Sequence, residues 1–174
     1  MDKSIFDAYV VEASLCKQDN SRSREHAQGL LEMLIHRTLV NKYPIQCGNV
    51  RFGITVGAGW LSIIDRMCEK IDALMTATPG FIVRFSQIKE KFGGLRVYCD
   101  VFSVDEEKRG QINPDNGRPI LREDHRPAYN QICSFIHAAE DEADVTCETC
   151  GKPGTPRNGR HGYIHTACDD HVSK

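Results

Sequence analysis

Little in this chain marks a specialised class of protein. Aromatic side chains make up 7% of its 174 residues, with a single tryptophan. The formal net charge is −2, so no excess of one sign draws the whole molecule to nucleic acid or anionic lipid. No apolar run approaches the roughly 20 residues that a membrane-spanning helix needs. The first residues, Met1-Asp-Lys-Ser-Ile-Phe-Asp, lack the basic region and apolar stretch of a secretion signal. Internal repeats and low-complexity tracts are missing. So are the phosphate-loop and dinucleotide glycine patterns. No Ser/His/Asp or Cys/His nucleophile grouping can be assembled from spacing. What is left, at 40% hydrophobic and 26% charged residues, is an ordinary globular composition, long enough for one core and a small appendage.

Cysteine is the exception to this plainness. There are eight. Five of them, Cys16, Cys47, Cys68, Cys99 and Cys133, stand singly, as buried reduced thiols do, and with the missing secretion signal they predict a cytoplasmic protein. The other three belong to a pattern, Cys147-Glu-Thr-Cys150-Gly and, after a longer gap, Cys168-Asp-Asp-His171. Two residues between ligands let one tight turn aim both side chains at one ion, and the longer gap brings a second knuckle round to close a tetrahedron. Three thiolates and an imidazole are what structural zinc prefers. The predicted cofactor is therefore one Zn²⁺ per chain, held by Cys147, Cys150, Cys168 and His171 and, with no open coordination position, structural. Gly151 supplies the residue free to take positive φ after the first pair. His161 and His165 lie between the two halves, and either is an alternative fourth ligand, though the x2 spacing of Cys168 and His171 favours His171.

Hydrophobic periodicity outlines the remainder. Residues 4–16 read as a short first helix. Ala27, Leu30, Leu31, Leu34, Ile35, Thr38 and Leu39 recur at helical steps and stop before Pro44. Residues 51–56 read as a short strand. Trp60, Ile63, Ile64, Met67, Ile71, Leu74 and Met75 form the clearest helical stripe, ended by Thr78-Pro79-Gly80. Strands are predicted over 81–85 and 95–102, with 88–94 between them as a loop too long for a two-residue turn. Residues 103–126 form a polar excursion, and Pro127 opens a last helix to about Ala143, with Asp124 as its cap. The expected fold class is α+β: a small antiparallel sheet covered by three or four helices, with a C-terminal zinc ribbon. The expected division is a core over 1–145 and a ribbon over 146–174.

Three constellations bear on function. Lys89, Lys91 and Arg96 surround Phe92 and paired glycines, which predicts a partner-binding loop. Arg84 adds to that basic run, and Lys152, Arg157 and Arg160 place further cations in the ribbon beside Tyr163, a pattern open to nucleic-acid binding. Glu123-Asp-His125 with Asn130 is the third, a weak match to one-metal finger nucleases. Gly57-Ala-Gly59 before Trp60 reads as the start of a helix, a position that can also receive an anion.

Gly59-Trp60-Leu-Ser-Ile-Ile-Asp, Gln87-Ile-Lys-Glu-Lys-Phe-Gly-Gly-Leu-Arg-Val-Tyr98, Cys147-Glu-Thr-Cys-Gly-Lys-Pro-Gly154 and Thr166-Ala-Cys-Asp-Asp-His171 occur in that order. The set resembles small zinc-knuckle proteins encoded by bacteriophages and prophages, over roughly residues 57–172. Gly162-Tyr163 stands where such proteins often carry Gly-Trp. The resemblance implies a non-enzymatic accessory protein that binds a host protein or ribonucleoprotein, such as a defence complex, in the manner of an anti-CRISPR inhibitor. A zinc-ribbon nucleic-acid-binding regulator is the alternative, and a metal-dependent nuclease the third reading.

Overall fold

The structure, a computed structural model, describes residues 21–105, 112, 114, 117, 120–159 and 162–172, with side chains from residue 29 onward except Glu32. The helix predicted over 4–16 lies outside these residues. Helix α1 (Ser21–Lys42) buries Ile35 and Leu39 and ends before Pro44, which opens the single turn α2 (Pro44–Cys47). The buried Tyr43 between them donates its hydroxyl to the Asp65 carbonyl at 3.0 Å, and Lys42 pairs with the Asp65 carboxylate at 2.8 Å. A short strand β1 (Ile54–Thr55) and a 3₁₀ turn (Ala58–Trp60) lead into helix α3 (Leu61–Ala77). The predicted stripe is its buried face: Ile63, Ile64, Met67, Ile71 and Met75 all point inward.

Strands β2 (Phe81–Lys91) and β3 (Gly94–Ser103) form a long antiparallel hairpin. Phe81, Val83, Phe85 and Ile88 face the core beneath the helices; the bulge between Phe85 and Gln87 keeps Ile88 in phase with them. Strand β1 joins parallel to β2, pairing Ile54 with Ile88, so the sheet is mixed at that edge. Helix α4 (Arg126–Asp144) buries Ala128, Ile132, Ile136, Ala139 and Ala143 and packs on both α3 and β3. A second sheet, β4 (Thr155–Asn158) paired antiparallel with β5 (Ile164–Ala167), makes the C-terminal ribbon. The class is α+β, as expected. Among the described residues no helix is long and apolar enough to cross a membrane.

Two local expectations need correction. Residues 88–94 are not a loop. Both strands run through them, Lys91 pairs with Gly94, and the turn is only Phe92-Gly93, with φ of 56° and 80°. Two consecutive positive φ values are the mirror-image geometry that matches strand twist in two-residue hairpins. The sequence hides this, because Phe92 occupies a position where Asn or Gly is usual. Asp124, likewise, does not cap α4. His125 stands at that position without a side-chain cap, and the Asp124 carboxylate is taken by Arg122 Nε at 3.0 Å.

Candidate metal centre

Two knuckles bring Cys147, Cys150, Cys168 and His171 together, with one ligating atom of each lying within 4.8 Å of all the others. Cys150 Sγ is 3.6 Å from Cys168 Sγ. His171 Nδ1 is 3.7 Å from Cys147 Sγ and 3.2 Å from Cys168 Sγ. A tetrahedron with zinc–sulfur bonds of about 2.3 Å and a zinc–nitrogen bond of about 2.0 Å has edges of about 3.5 to 3.8 Å. The four atoms are spaced as the vertices of such a shell, so they can hold a metal ion.

Each turn is built for this. Gly151 has φ of 74°, the conformation its position after the first pair was expected to need, and its amide donates to the Cys147 carbonyl at 2.9 Å. The second knuckle closes through a 3₁₀ turn (Asp169–His171), where the His171 amide bonds to the Cys168 carbonyl. Lys152 pairs with Asp170 at 2.8 Å and Arg157 with Asp169 at 2.7 Å, bracing that turn from outside. Burial opposes ionisation of Cys147, but the backbone amides of Cys168, Cys150 and Thr149 outweigh it and lower its pKa. Burial pushes the Cys150 thiol up to about 11. A bound cation would reverse that preference. His165, the alternative ligand, is outside the cluster: it is buried on β5, stacked on Tyr163 at 6.0 Å, and neither ring nitrogen has a partner. His161 lies outside the described residues.

The first knuckle is docked onto the core. Trp60, fully buried, donates its indole N–H to the Thr146 carbonyl at 2.8 Å. Gly59 donates its amide to the Glu148 carbonyl at 2.7 Å, and Gly57 to the Glu148 side chain at 2.9 Å. The anion at the helix start that the glycines suggested is therefore the protein's own Glu148. A Cβ on Gly59 would lie 2.1 Å from the Cys147 carbonyl oxygen, so only glycine fits there.

The second contact involves the hairpin turn. Thr166 donates its hydroxyl to the Gly93 carbonyl at 2.6 Å, and Tyr163 donates to Glu90 at 2.7 Å. Glu90 also accepts from the Gly93 amide at 2.7 Å. Of the paired glycines, Gly93 thus gives close approach to the ribbon and Gly94 lies against the Arg96 and Asp144 side chains, where the sequence suggested room for another molecule. Of the residues predicted to bind a partner, Phe92 is 73% exposed and Lys91 is exposed beside it, with its Nζ 5.4 Å from the ring centre. Lys89 is half-buried with its Nζ 5.3 Å from the Tyr98 ring. Arg96 stands directly opposite Lys89 across the hairpin. It is half-buried on β3 and folds back to donate to the Leu95 carbonyl at 2.6 Å.

A Ser–His contact that spacing did not suggest also forms: Ser103 Oγ lies 2.8 Å from His125 Nδ1 and accepts from the Arg122 amide at 3.0 Å. Both side chains are buried, and the neighbouring acid, Asp124, is paired to Arg122. The contact closes the two ends of the polar excursion. The Glu123-Asp-His125 motif is thus engaged with its own neighbours, and among the described residues the knuckle set is the one group placed to hold a metal.

An α+β core clasping a C-terminal Cys₃His centre is the class of protein that fold and site define. Comparison with known proteins finds no matching family model, no matching curated protein and no matching solved structure.

Proposed function

We propose that the chain is a non-enzymatic binding protein whose zinc ion is structural and whose β2–β3 hairpin engages a macromolecular partner. Thiolate-rich sites select zinc over magnesium or calcium, and four protein ligands leave no position for substrate. The observation that carries the binding role is Phe92. A large apolar ring is held in solvent at a positive φ that disfavours it, at the end of a hairpin otherwise locked to the ribbon and core. Folding gives no reason for that choice, whereas an anchor residue at an interface does. The resemblance to phage zinc-knuckle proteins makes a host protein or ribonucleoprotein, a defence complex among them, the partner to test.

The zinc assignment is checked by metal analysis of protein purified without chelators: one zinc per chain is expected, falling in Cys150→Ser. For the binding role, tagged protein is incubated with bacterial lysate. The doubly charge-reversed variant Lys89→Glu/Lys91→Glu should capture less while keeping its melting temperature. Unchanged capture by that folded variant would overturn the assignment of the hairpin.

A further inference from the structure

The two exposed rings of the hairpin differ from an ordinary apolar patch in what surrounds them. Tyr98 is 44% exposed and carries Lys89 against its face; Phe92 carries Lys91 in the same way. Beside Ser86 and Gln87, on the edge of β2 away from Tyr98, lie the exposed Arg51 and Phe52, the latter 61% exposed. The Phe52 backbone is held by the Ser86 carbonyl and the Gln87 side chain. Residues 81–103 carry four basic groups (Arg84, Lys89, Lys91, Arg96) against two acidic ones (Glu90, Asp100), a local balance of +2 in a chain of −2. Nor is the acid nearest the turn free to oppose an anion, since both Glu90 oxygens already accept, one from Gly93 and one from Tyr163.

We propose that this end of the hairpin binds single-stranded nucleic acid, with Phe92 and Tyr98 as stacking platforms for bases and Arg51, Lys89 and Lys91 set toward phosphates. The proposal rests on the hairpin reading above and gives the partner its chemistry. Tyr98 lies opposite Gln87, five residues back along the chain from Phe92, which at a strand rise of about 3.3 Å per residue is a span of about 16 Å. An extended strand covers that span with about two nucleotides. Aromatic faces accept any unpaired base, and ammonium groups beside them suit the backbone of the same strand. A duplex keeps its base faces stacked internally and offers nothing to these rings. An acidic protein surface would satisfy the lysines but leave two planar faces without planar partners.

The test uses the full zinc-loaded chain and a fluorescent single-stranded oligouridine of roughly 12 nucleotides, followed by anisotropy at roughly 50 mM salt. Saturable binding is expected. Its log affinity should fall against log salt with a slope of about −2, from three cations at about 0.7 each. Phe92→Ala and Tyr98→Ala should each weaken binding by about 5- to 150-fold, and Phe92→Tyr, which keeps a ring, should restore most of it. Circular dichroism and zinc content identify any variant that fails to fold. No binding by the wild-type chain overturns the proposal. So does equal affinity for a duplex of the same length, wild-type affinity in both folded alanine variants, or equally effective displacement by polyglutamate. A nucleic-acid failure combined with protein capture that still depends on Lys89 and Lys91 would leave the hairpin interface standing. Charge reversal without effect on either would remove both readings.

Discussion

Gly59 is where core and metal knuckle come closest, and its substitution is the most sensitive probe of their union. A methyl group at 2.1 Å from the Cys147 carbonyl cannot be accommodated by rotating a side chain, because the obstacle is backbone. Gly59→Ala is expected to destabilise the protein by about 1–3 kcal/mol or more, as overpacking does. A urea midpoint equal to that of the wild type would show that the knuckle is not seated there. Ser103 offers a second residue-scale test. Its hydroxyl serves both the Arg122 amide and His125 Nδ1 in a buried setting, so Ser103→Ala removes two hydrogen bonds at once. The expected loss is about 1–3 kcal/mol in equilibrium unfolding. The buried thiols are quieter. The Cys47 thiol beside Cys68, together with burial, pushes the Cys68 pKa up, which keeps it protonated and unreactive. Cys47, Cys68, Cys99 and Cys133 are not joined in disulfides, as single spacing implied, and Cys16 lies outside the described residues.

Among the elements, the hairpin and the ribbon make opposite demands. The hairpin holds itself together through ten paired positions, yet its turn carries a phenylalanine in a left-handed conformation. Such a conformation costs an L-residue roughly 1–2 kcal/mol, and asparagine before glycine is the preferred alternative. Phe92→Asn is therefore expected to stabilise the fold by about 1 kcal/mol while weakening partner binding, measurable as a raised melting temperature with reduced capture. A lowered melting temperature would mean that the ring supports the fold. The ribbon lacks a core of its own. Its buried apolar cluster is Cys147, Ala167 and Cys168, with Cys150 against it, so three of the four members belong to the set that can hold a metal ion. Removing the metal with a chelator should release the ribbon while the helical signal of the core persists. Because Trp60 loses the Thr146 carbonyl in that event, its fluorescence should change in step with metal loss. Collapse of the whole helical signal would show that core and ribbon fold as one unit.

At the scale of the molecule, two tyrosines link distant parts and make stability fall in alkali. Tyr43 ties the α1–α2 junction to Asp65 on α3; burial raises its pKa to about 12, with the neighbouring Asp65 also raising it and Lys42 opposing. Tyr163 ties the ribbon to Glu90, and burial and then that carboxylate push its pKa up as well. Both folded-state values lie above the usual value near 10, so the folded protein holds these protons more tightly than the unfolded chain. Their contribution is complete below pH 10 and declines as pH rises toward 12. The urea midpoint should therefore drop between pH 10 and about 12, and drop less in Tyr43→Phe. A flat midpoint across that window would contradict the linkage.

The sequence by itself determined most of what depends on local spacing, the Phe92-Gly93 turn and the N-cap of α4 excepted. Helical steps of three and four marked the buried faces of α1 and α3; Pro44 and Pro79-Gly80 marked where helices end, and Pro127 where α4 begins. Ligand spacing with Gly151 marked the metal centre, since two residues between ligands already define a knuckle. Only the tertiary structure decided what faces what. That Glu148 fills the anion position above Gly57, that Trp60 holds Thr146, and that Gly93 lies beneath Thr166 are contacts between segments roughly 70 to 90 positions apart, which no local period encodes. The same holds for the hairpin. Spacing placed Lys89, Lys91, Phe92 and Arg96 together; strand pairing sets Arg96 opposite Lys89, where its side chain turns back onto the Leu95 carbonyl, and leaves Phe92 and Lys91 in solvent. Which residues stand opposite one another is set by the turn and the register, and the two positive φ values of Phe92-Gly93 that fix that register are not written in the spacing of the charges.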